Sequence, residues 1–491
     1  MGSQIDPDPI RASEINAMYI LLFILHLLLI FVATGHALLH KRDPRAALGW
    51  VGICLIFPIV GPFVYFIFGV NRVRTRAQKL EERSRFLIHL GSDRPEALDV
   101  AARSTVPVPE GFARIARISD TVSRWPRTSG NRVEMLLNGE QAYPAMLRAI
   151  ENARHSVFMT TYIFATDATG RRFIDALGRA GGRGVEVRVL VDGVGEFYSF
   201  PRAVTLLRRA GVNAASFLPP RLFPPTFHLN LRNHRKLMVA DGRIGFVGGM
   251  NIRDRHLVET SSSPDRISDL HFELAGPAVA QVQQTFLEDW GFCTGDRAPV
   301  PLLAVETPGD AMCRTVTDGP NEDLDRLALI LSGAVSSAQE RIRIMTPYFL
   351  PARELIGALQ SAALRGVAVE VVLPAKNNLP FVSWATRNML WELLERGIRI
   401  YYQPAPFAHS KLFVVDDRYC MIGSPNIDPR SLRLNFELAV EIYDSHFARL
   451  AASHIRRVID RSRETTMADL DARSLPVRLR DAAIWLFSPY L

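Results

Sequence analysis

Two stretches of this chain pair a histidine with a lysine two residues later and close on an aspartate: His234-Arg-Lys236-Leu-Met-Val-Ala-Asp241 and His409-Ser-Lys411-Leu-Phe-Val-Val-Asp416. Side chains alternate along an extended strand, so each His–Lys pair projects from one face at a strand end. Leu237, Val239, Leu412 and Val414 point the other way, into a core. Each copy then reaches Gly248-Gly249-Met250-Asn251 or Gly423-Ser424-Pro425-Asn426, and the glycine follows the histidine by the same interval (248 − 234 and 423 − 409). A lone H-x-K among 12 histidines would read as a surface strand. Two full copies with matched tails read as one device used twice.

The chemistry these residues suit is attack on a phosphodiester. A phosphoryl centre carries negative charge that must be neutralised before a nucleophile can approach, and two lysines with asparagine amides can do this as preorganised donors. One neutral imidazole can attack phosphorus to give a phosphohistidine, while the other, protonated, gives its proton to the leaving alkoxide. Histidine serves because both of its protonation states are accessible near neutral pH. The candidate catalytic set is therefore His234, Lys236, Asp241, His409, Lys411 and Asp416, with Asn251, Asn426 and Ser424 to bind or support the phosphate. Within that set, Asp241 and Asp416 stand at the far ends of their strands and suit a supporting role better than direct participation.

The elements that must position these groups form an internal repeat. Met159-Thr-Thr-Tyr162-Ile-Phe matches Met345-Thr-Pro-Tyr348-Phe-Leu, and Arg183-Gly-Val-Glu-Val-Arg-Val-Leu-Val matches Arg365-Gly-Val-Ala-Val-Glu-Val-Val-Leu. Helix and strand patterns alternate, which predicts an α/β fold: two units with mixed sheets flanked by helices, packed about a pseudo-twofold axis. The expected layout is a membrane region at 1–71, a basic juxtamembrane stretch and linker at 72–130, a first repeat at 131–305, a second at 306–465 and a tail at 466–491.

The N-terminal region is read from two uncharged apolar runs, about 17–39 and 46–70, each near the ~20 residues needed to cross a bilayer core. Pro58, Gly61 and Pro62 interrupt the second, which predicts a kinked span or a re-entrant hairpin. Basic residues follow both runs (Lys41, Arg42, Arg45; then Arg72, Arg74, Arg76, Lys79, Arg83 and Arg85), so the bulk of the chain is expected in the cytoplasm. The net charge of +8 points to an anionic partner. The four cysteines are scattered, which suits a reducing compartment. No Cys/His cluster has ligand spacing, so no metal and no other cofactor is expected.

Across residues ~131–460 the paired motifs with their glycine–asparagine tails resemble the phospholipase D superfamily. That resemblance implies a carboxylate holding the second ring nitrogen of each histidine, and Asp269 and Glu437 match the positions. It also implies His234 as the nucleophile. The apolar N-terminal runs, Thr346-Pro-Tyr-Phe-Leu-Pro351, Asn426-Ile-Asp-Pro-Arg-Ser-Leu-Arg-Leu-Asn-Phe-Glu437 and the ending Leu486-Phe-Ser-Pro-Tyr-Leu491 are together similar to the bacterial cardiolipin synthases. The implied reaction joins two phosphatidylglycerols into cardiolipin with release of glycerol, at an anionic inner-membrane surface and without nucleic acid. A hydrolytic phospholipase D or another phosphatidyltransferase would use the same residues, and a nuclease or a non-catalytic lipid-binding scaffold is the remaining class. Two segments are expected to lie at the bilayer surface or to pack as ordinary protein: the proline-stiffened Phe217-Leu-Pro-Pro-Arg-Leu-Phe-Pro-Pro-Thr-Phe227 and the C-terminal stretch from Val477.

Overall fold

The structure, a computed structural model, describes residues 9–41, 44–57, 59–69, 108, 111–220, 231–261, 263–296, 306–319 and 325–488. The chain divides into two units, residues 1–79 and 80–491. In the first, one helix runs Pro9–His40. Its segment Met18–His40 has 23 residues and a mean hydropathy of 2.5, long and apolar enough to cross a membrane. The second apolar run is not one helix. It forms Pro44–Ile56, breaks, and resumes as Val60–Val64 followed by one wide turn, Tyr65–Gly69. The break is sharp: Ile59 has a φ of 61°, and a Cβ at Gly61 would stand 2.3 Å from the Ile53 carbonyl oxygen. The return path is held by Tyr65, buried among Ala33, Ala37 and Cys54, whose hydroxyl lies 2.7 Å from His36 Nδ1.

Among the described residues the second unit has seventeen strands. The first repeat contributes β1 (Thr128–Leu137), β2 (Ser156–Thr161), β3 (Glu186–Asp192), β4 (Asn213–Phe217), β5 (Leu237–Ala240), β6 (Ile244–Gly248), β7 (Ile267–Ser268) and β8 (Leu270–Ala275). The second contributes β9 (Ala311–Asp318), β10 (Arg341–Met345), β11 (Ala368–Pro374), β12 (Arg399–Gln403), β13 (Phe407–Ala408), β14 (Leu412–Val415), β15 (Tyr419–Gly423), β16 (Glu437–Tyr443) and β17 (Arg463–Thr465). Fifteen of them make a single sheet in the order β17-β12-β11-β10-β14-β15-β16-β9-β1-β8-β6-β5-β2-β3-β4. Read outward from the antiparallel β1–β9 seam, the two halves repeat one another except for β17, which has no counterpart beyond β4, so the expected pseudo-twofold passes through that seam. The sheets of the two repeats are thus one continuous sheet. Within each half of the large sheet, three strands pair in parallel (β2-β3-β4 and β10-β11-β12) and the other pairings are antiparallel.

Helices cover both faces, which is why the central strands read as unbroken β-branched runs. Val187, Val189 and Val191 of β3 pack under Phe173 and Leu177 of the helix Ala168–Gly182. Val369 and Val371 of β11 pack in the core that also holds Leu355 and Leu359 of Arg353–Leu364. All four residues of β5 and of β14 are buried, so both faces of the motif strands are core.

Two expectations need correction. The stretch before residue 131 is not linker throughout: Ala113–Val122 is an amphipathic helix whose Ile115 and Ala116 join the core of the second repeat, and buried Ser119 donates to Glu441 at 2.7 Å. Phe217 is not at a surface. It is fully buried against Phe292 and Phe436, and residues 221–230 of the same segment lie outside the described residues. The C-terminal helix Leu475–Trp485 docks on Pro380–Leu394, with fully buried Asp481 ion-paired to Arg387, Arg473 and Arg480.

Asp241 and Asp416 sit on tight turns, with φ of 50° and 52°. The Asp241 carboxylate accepts from the backbone N–H groups of Arg154, His155 and Ser156 at 2.9, 2.7 and 2.9 Å. Asp416 repeats this with Gln339, Glu340 and Arg341 at 2.9, 2.8 and 2.8 Å. Each aspartate therefore clamps the entry to the neighbouring parallel strand and is occupied by backbone amides, which removes both from the set of reacting groups. Asp416→Ala should lower stability by about 1–3 kcal/mol, because three amides lose their acceptor. Turnover per folded enzyme should change little, as checked by thermal unfolding in detergent beside a specific-activity assay normalised to folded protein.

Candidate active site

Two backbone crossings between the repeats build the site. The lead-in to β5 pairs with the lead-in to β16: Phe436 N–H donates to the Arg232 carbonyl at 2.9 Å, and His234 N–H donates to the Phe436 carbonyl at 2.9 Å. In the other half, β7 and β13 form a short parallel pair, and His409 N–H donates to the Ser268 carbonyl at 2.8 Å. Both histidines and lysines thus lie in the extended lead-ins to their strands, outside the ladder of the large sheet. Each crossing delivers a histidine from one repeat to a carboxylate from the other.

His409 Nδ1 lies 2.7 Å from Asp269 Oδ2, and His234 Nδ1 lies 3.3 Å from Glu437 Oε1. Both carboxylates are fully buried, whereas the histidine side chains keep 17% and 25% exposure, so the rings stand between buried acid and an open cleft. The second ring nitrogen of each is thereby held, which turns Nε2 toward the reacting side, where Nε2 of His409 also lies 3.1 Å from Lys411 Nζ. Lys236 Nζ donates to the His234 carbonyl at 2.6 Å; Lys411 Nζ donates to the His409 carbonyl and stands 2.9 Å from that ring's Nδ1.

The half-sites differ where the sequence reads Gly249 against Ser424. A Cβ at Gly249 would meet Asp269 Oδ1 at 2.5 Å, so glycine is needed to let the short aspartate sit there. Ser424 instead donates to Glu437 Oε2, and its hydroxyl steadies that acid rather than facing the cleft. Asn251 accepts from the Ile163 N–H through Oδ1 at 2.9 Å, which leaves its NH2 end for a ligand. Asn426 differs from the expected pattern: its NH2 donates to Ser431 Oγ at 3.1 Å.

Three groups escaped the motif reading. Tyr162 packs edge-on against His234 at 4.4 Å between ring centroids, with Lys236 Nζ 5.6 Å from the tyrosine ring. Its repeat partner Tyr348 stands 6.4 Å from His409. The repeat alignment had already matched these tyrosines, and that was the available signal. Asn435 Nδ2 lies 3.2 Å from His234 Nδ1, and among the described residues of the first repeat nothing corresponds to it. Among the described residues no group of three or more His, Cys, Asp or Glu side chains is arranged to hold a metal ion.

Burial dominates the electrostatics. It lowers both histidines, and for His234 the hydrogen bond and charge of Glu437 offset part of the effect. His409 falls well below the usual range, because Lys411, Lys236 and His234 add to desolvation. Burial raises Asp269 against the pull of Lys411. Burial would raise Glu437 too, but the His234 hydrogen bond and the charges of His234 and Lys236 outweigh it and hold the acid below its ordinary value. Lys411 is pushed down to about 7 by burial, opposed by Asp269.

Comparison with known proteins gives this geometry its family. The domain described as "Cardiolipin synthase, PLD-like domain" matches residues 146–290 and 331–459, and the one described as "Phospholipase D-nuclease N-terminal" matches 27–69. Cardiolipin synthase A of Pseudomonas putida F1 is 34% identical over 459 residues, covering 91% of this chain and 93% of the relative. The chain belongs to the cardiolipin synthase family of the phospholipase D superfamily. Cardiolipin synthase A of Pseudomonas aeruginosa PAO1 is likewise 34% identical, covering 90% of each chain. In fold, the chain is similar to the crystal structure of phosphatidylserine synthase from Haemophilus influenzae Rd KW20, with a TM-score of 0.59 at 16% identity over 77% of this chain and all of that one.

The lysine sets a pH dependence for a site of this family. Below about pH 7 the unliganded Lys411 is an ammonium ready to meet a phosphate; above it the amine is neutral. kcat/KM, which reports the free enzyme, should therefore fall as pH rises through about 7. kcat should fall only at higher pH, since a bound phosphate restores the charge. A profile of kcat/KM that stays flat from pH 6.5 to 9 would exclude Lys411 as a group titrating in the free enzyme.

Proposed function

We propose that this protein is a cardiolipin synthase, which moves a phosphatidyl group from one phosphatidylglycerol to another and releases glycerol. The observation that carries the chemistry is the pair of crossed histidine–carboxylate contacts, 2.7 and 3.3 Å, set beside two buried lysines. One imidazole attacks phosphorus while the other protonates the departing glycerol. The second lipid's hydroxyl then attacks the phosphohistidine, and the same general acid, now a base, takes the proton. Lys236, Lys411 and the Asn251 amide meet the charge on the phosphoryl oxygens.

The electrostatics favour His409 as the attacking group, which reverses the role that superfamily resemblance implies for His234. His409 has the closer acid partner and is held more firmly neutral. His234 keeps an acid that burial has not neutralised and accepts a proton more readily.

In micelles of phosphatidylglycerol the purified protein should yield cardiolipin and glycerol; formation of phosphatidic acid alone would make it a hydrolase. His234→Ala and His409→Ala should each cost about 10²–10⁴-fold or more in turnover. Phosphohistidine trapped during turnover should map to His409, and label on residue 234 would restore the resemblance-based assignment.

We further infer that Met18–His40 crosses the inner membrane while the broken second run re-enters it, which leaves both basic clusters and the catalytic unit in the cytoplasm. The sharp turn at Ile59 and the positive charge on both sides of the second run support this. A cysteine placed at position 42 should resist impermeant maleimide in intact cells and react after permeabilisation. Labelling in intact cells would overturn the topology.

A further inference from the structure

The loop of residues 193–202, which follows β3, is built the wrong way round for an exposed loop. Phe197 and Tyr198 are each 59% exposed and Phe200 is 94% exposed. The polar groups beside them turn inward: Asp192 accepts from the Val194 and Gly195 N–H groups at 2.9 and 3.2 Å, and Glu196 accepts from the Ser216 hydroxyl at 2.7 Å. Ser199 Oγ accepts from the Thr166 N–H at 3.2 Å. A Cβ at Gly195 would stand 1.6 Å from the Tyr162 carbonyl oxygen, so the loop is pressed onto the backbone of the tyrosine that packs on His234. Single exposed apolar residues are ordinary. Three aromatic rings within four residues, carried outward by a loop pinned at five points, are not.

The position gives the arrangement its meaning. The Tyr198 ring is 6.4 Å from that of Tyr162, so the aromatics rim the mouth above His234. The corresponding connection after β11 presents Phe381, 37% exposed, close to Asn378, which accepts from the hydroxyl of Tyr348 at 2.7 Å; Tyr348 in turn flanks His409. Both rims follow the carboxyl ends of parallel strands, the edge at which α/β sheets present their sites.

We propose that residues 197–200 form an aromatic lip that seats in the interface of a phospholipid bilayer and brings the cleft to the depth of the lipid phosphates. Aromatic rings settle at headgroup level, where one part is apolar and another wet. The Arg202 guanidinium, 4.5 Å from the Phe197 ring, supplies positive charge at that depth for anionic headgroups. A lipid can then offer its phosphodiester to His234 while its acyl chains stay in the membrane. This rests on the lipid-transferase reading above.

The test uses the full chain reconstituted in phosphatidylglycerol vesicles, with Phe200→Cys carrying an environment-sensitive fluorophore and the background from native cysteines subtracted. Blue-shifted emission, quenched by lipids spin-labelled near the headgroup, is expected. Water-like emission would overturn the proposal. So would shielded emission that lipid quenchers do not reach, which would mean a second copy of the chain covers the loop. The doubly substituted F197D/F200D should lose at least 10-fold in kcat/KM on vesicles while staying within about 2-fold of wild type on a short-chain phosphatidylglycerol dissolved as monomers. Equal loss on both substrates, or no loss, would also overturn it. If the wild type turned over no phospholipid, the transferase reading would fail by itself, and the fluorophore would still report on the lip.

Discussion

Everything at the centre of this enzyme depends on two exchanges of backbone hydrogen bonds between the repeats, Arg232 and His234 with Phe436, and His409 with Ser268. A histidine and a carboxylate about 200 or 140 residues apart in sequence meet only because these crossings fix their registers. A slip of one residue would turn each imidazole to the opposite side of its strand. Neither repeat holds a complete half-site: the first lends its acid to the second's histidine and receives one in return. The β1–β9 seam, which fuses the sheets, holds the exchange in place. For the same reason the catalytic unit does not separate into two bodies.

Symmetry of backbone does not bring symmetry of chemistry. Gly249 admits the short Asp269 close to the turn, while Ser424 tethers the longer Glu437. Asn435 adds a partner to His234 that His409 lacks. A double displacement needs one imidazole to be neutral when the other is protonated, and two equivalent histidines would have no preference. A small change of residue at one turn and a methylene of difference in the acid provide that preference.

The fold and the pairing of the histidine–lysine motifs are legible in the sequence. Repeated motifs with equal spacing announce two copies of one unit, and runs such as Val187–Val191 announce strands buried on both faces, because period and β-branching are local properties. The crossing of Asp269 and Glu437 was not legible, since nothing local says which acid serves which histidine. Nor was the engagement of Asn426 with Ser431, or the helix at 113–122: its Ile115 and Ala116 pack in the second repeat, and a helix whose apolar face serves a distant core looks like linker beside its own neighbours. The motif placed the aspartates and their position at the strand ends suggested support; what they support, the three amides, was not legible. Three N–H groups converging on one carboxylate is a three-dimensional fact about strands adjacent in the sheet and remote in sequence.

The same machinery would serve water or a lipid hydroxyl as acceptor, so the outcome is decided by access. Buried acids close one side of each imidazole, and the remaining exposure, 25% and 17%, is the side open to a substrate. Tyr162 and Tyr348 pack beside the histidines, and the exposed aromatics at 197–200 adjoin Tyr162 through Tyr198. A mouth of this kind set into a lipid interface meets headgroup hydroxyls at high local concentration, whereas bulk water must pass a ring of apolar side chains. Effective concentration at the mouth, more than any difference in the reacting residues, is then what separates a transferase from a hydrolase in this fold.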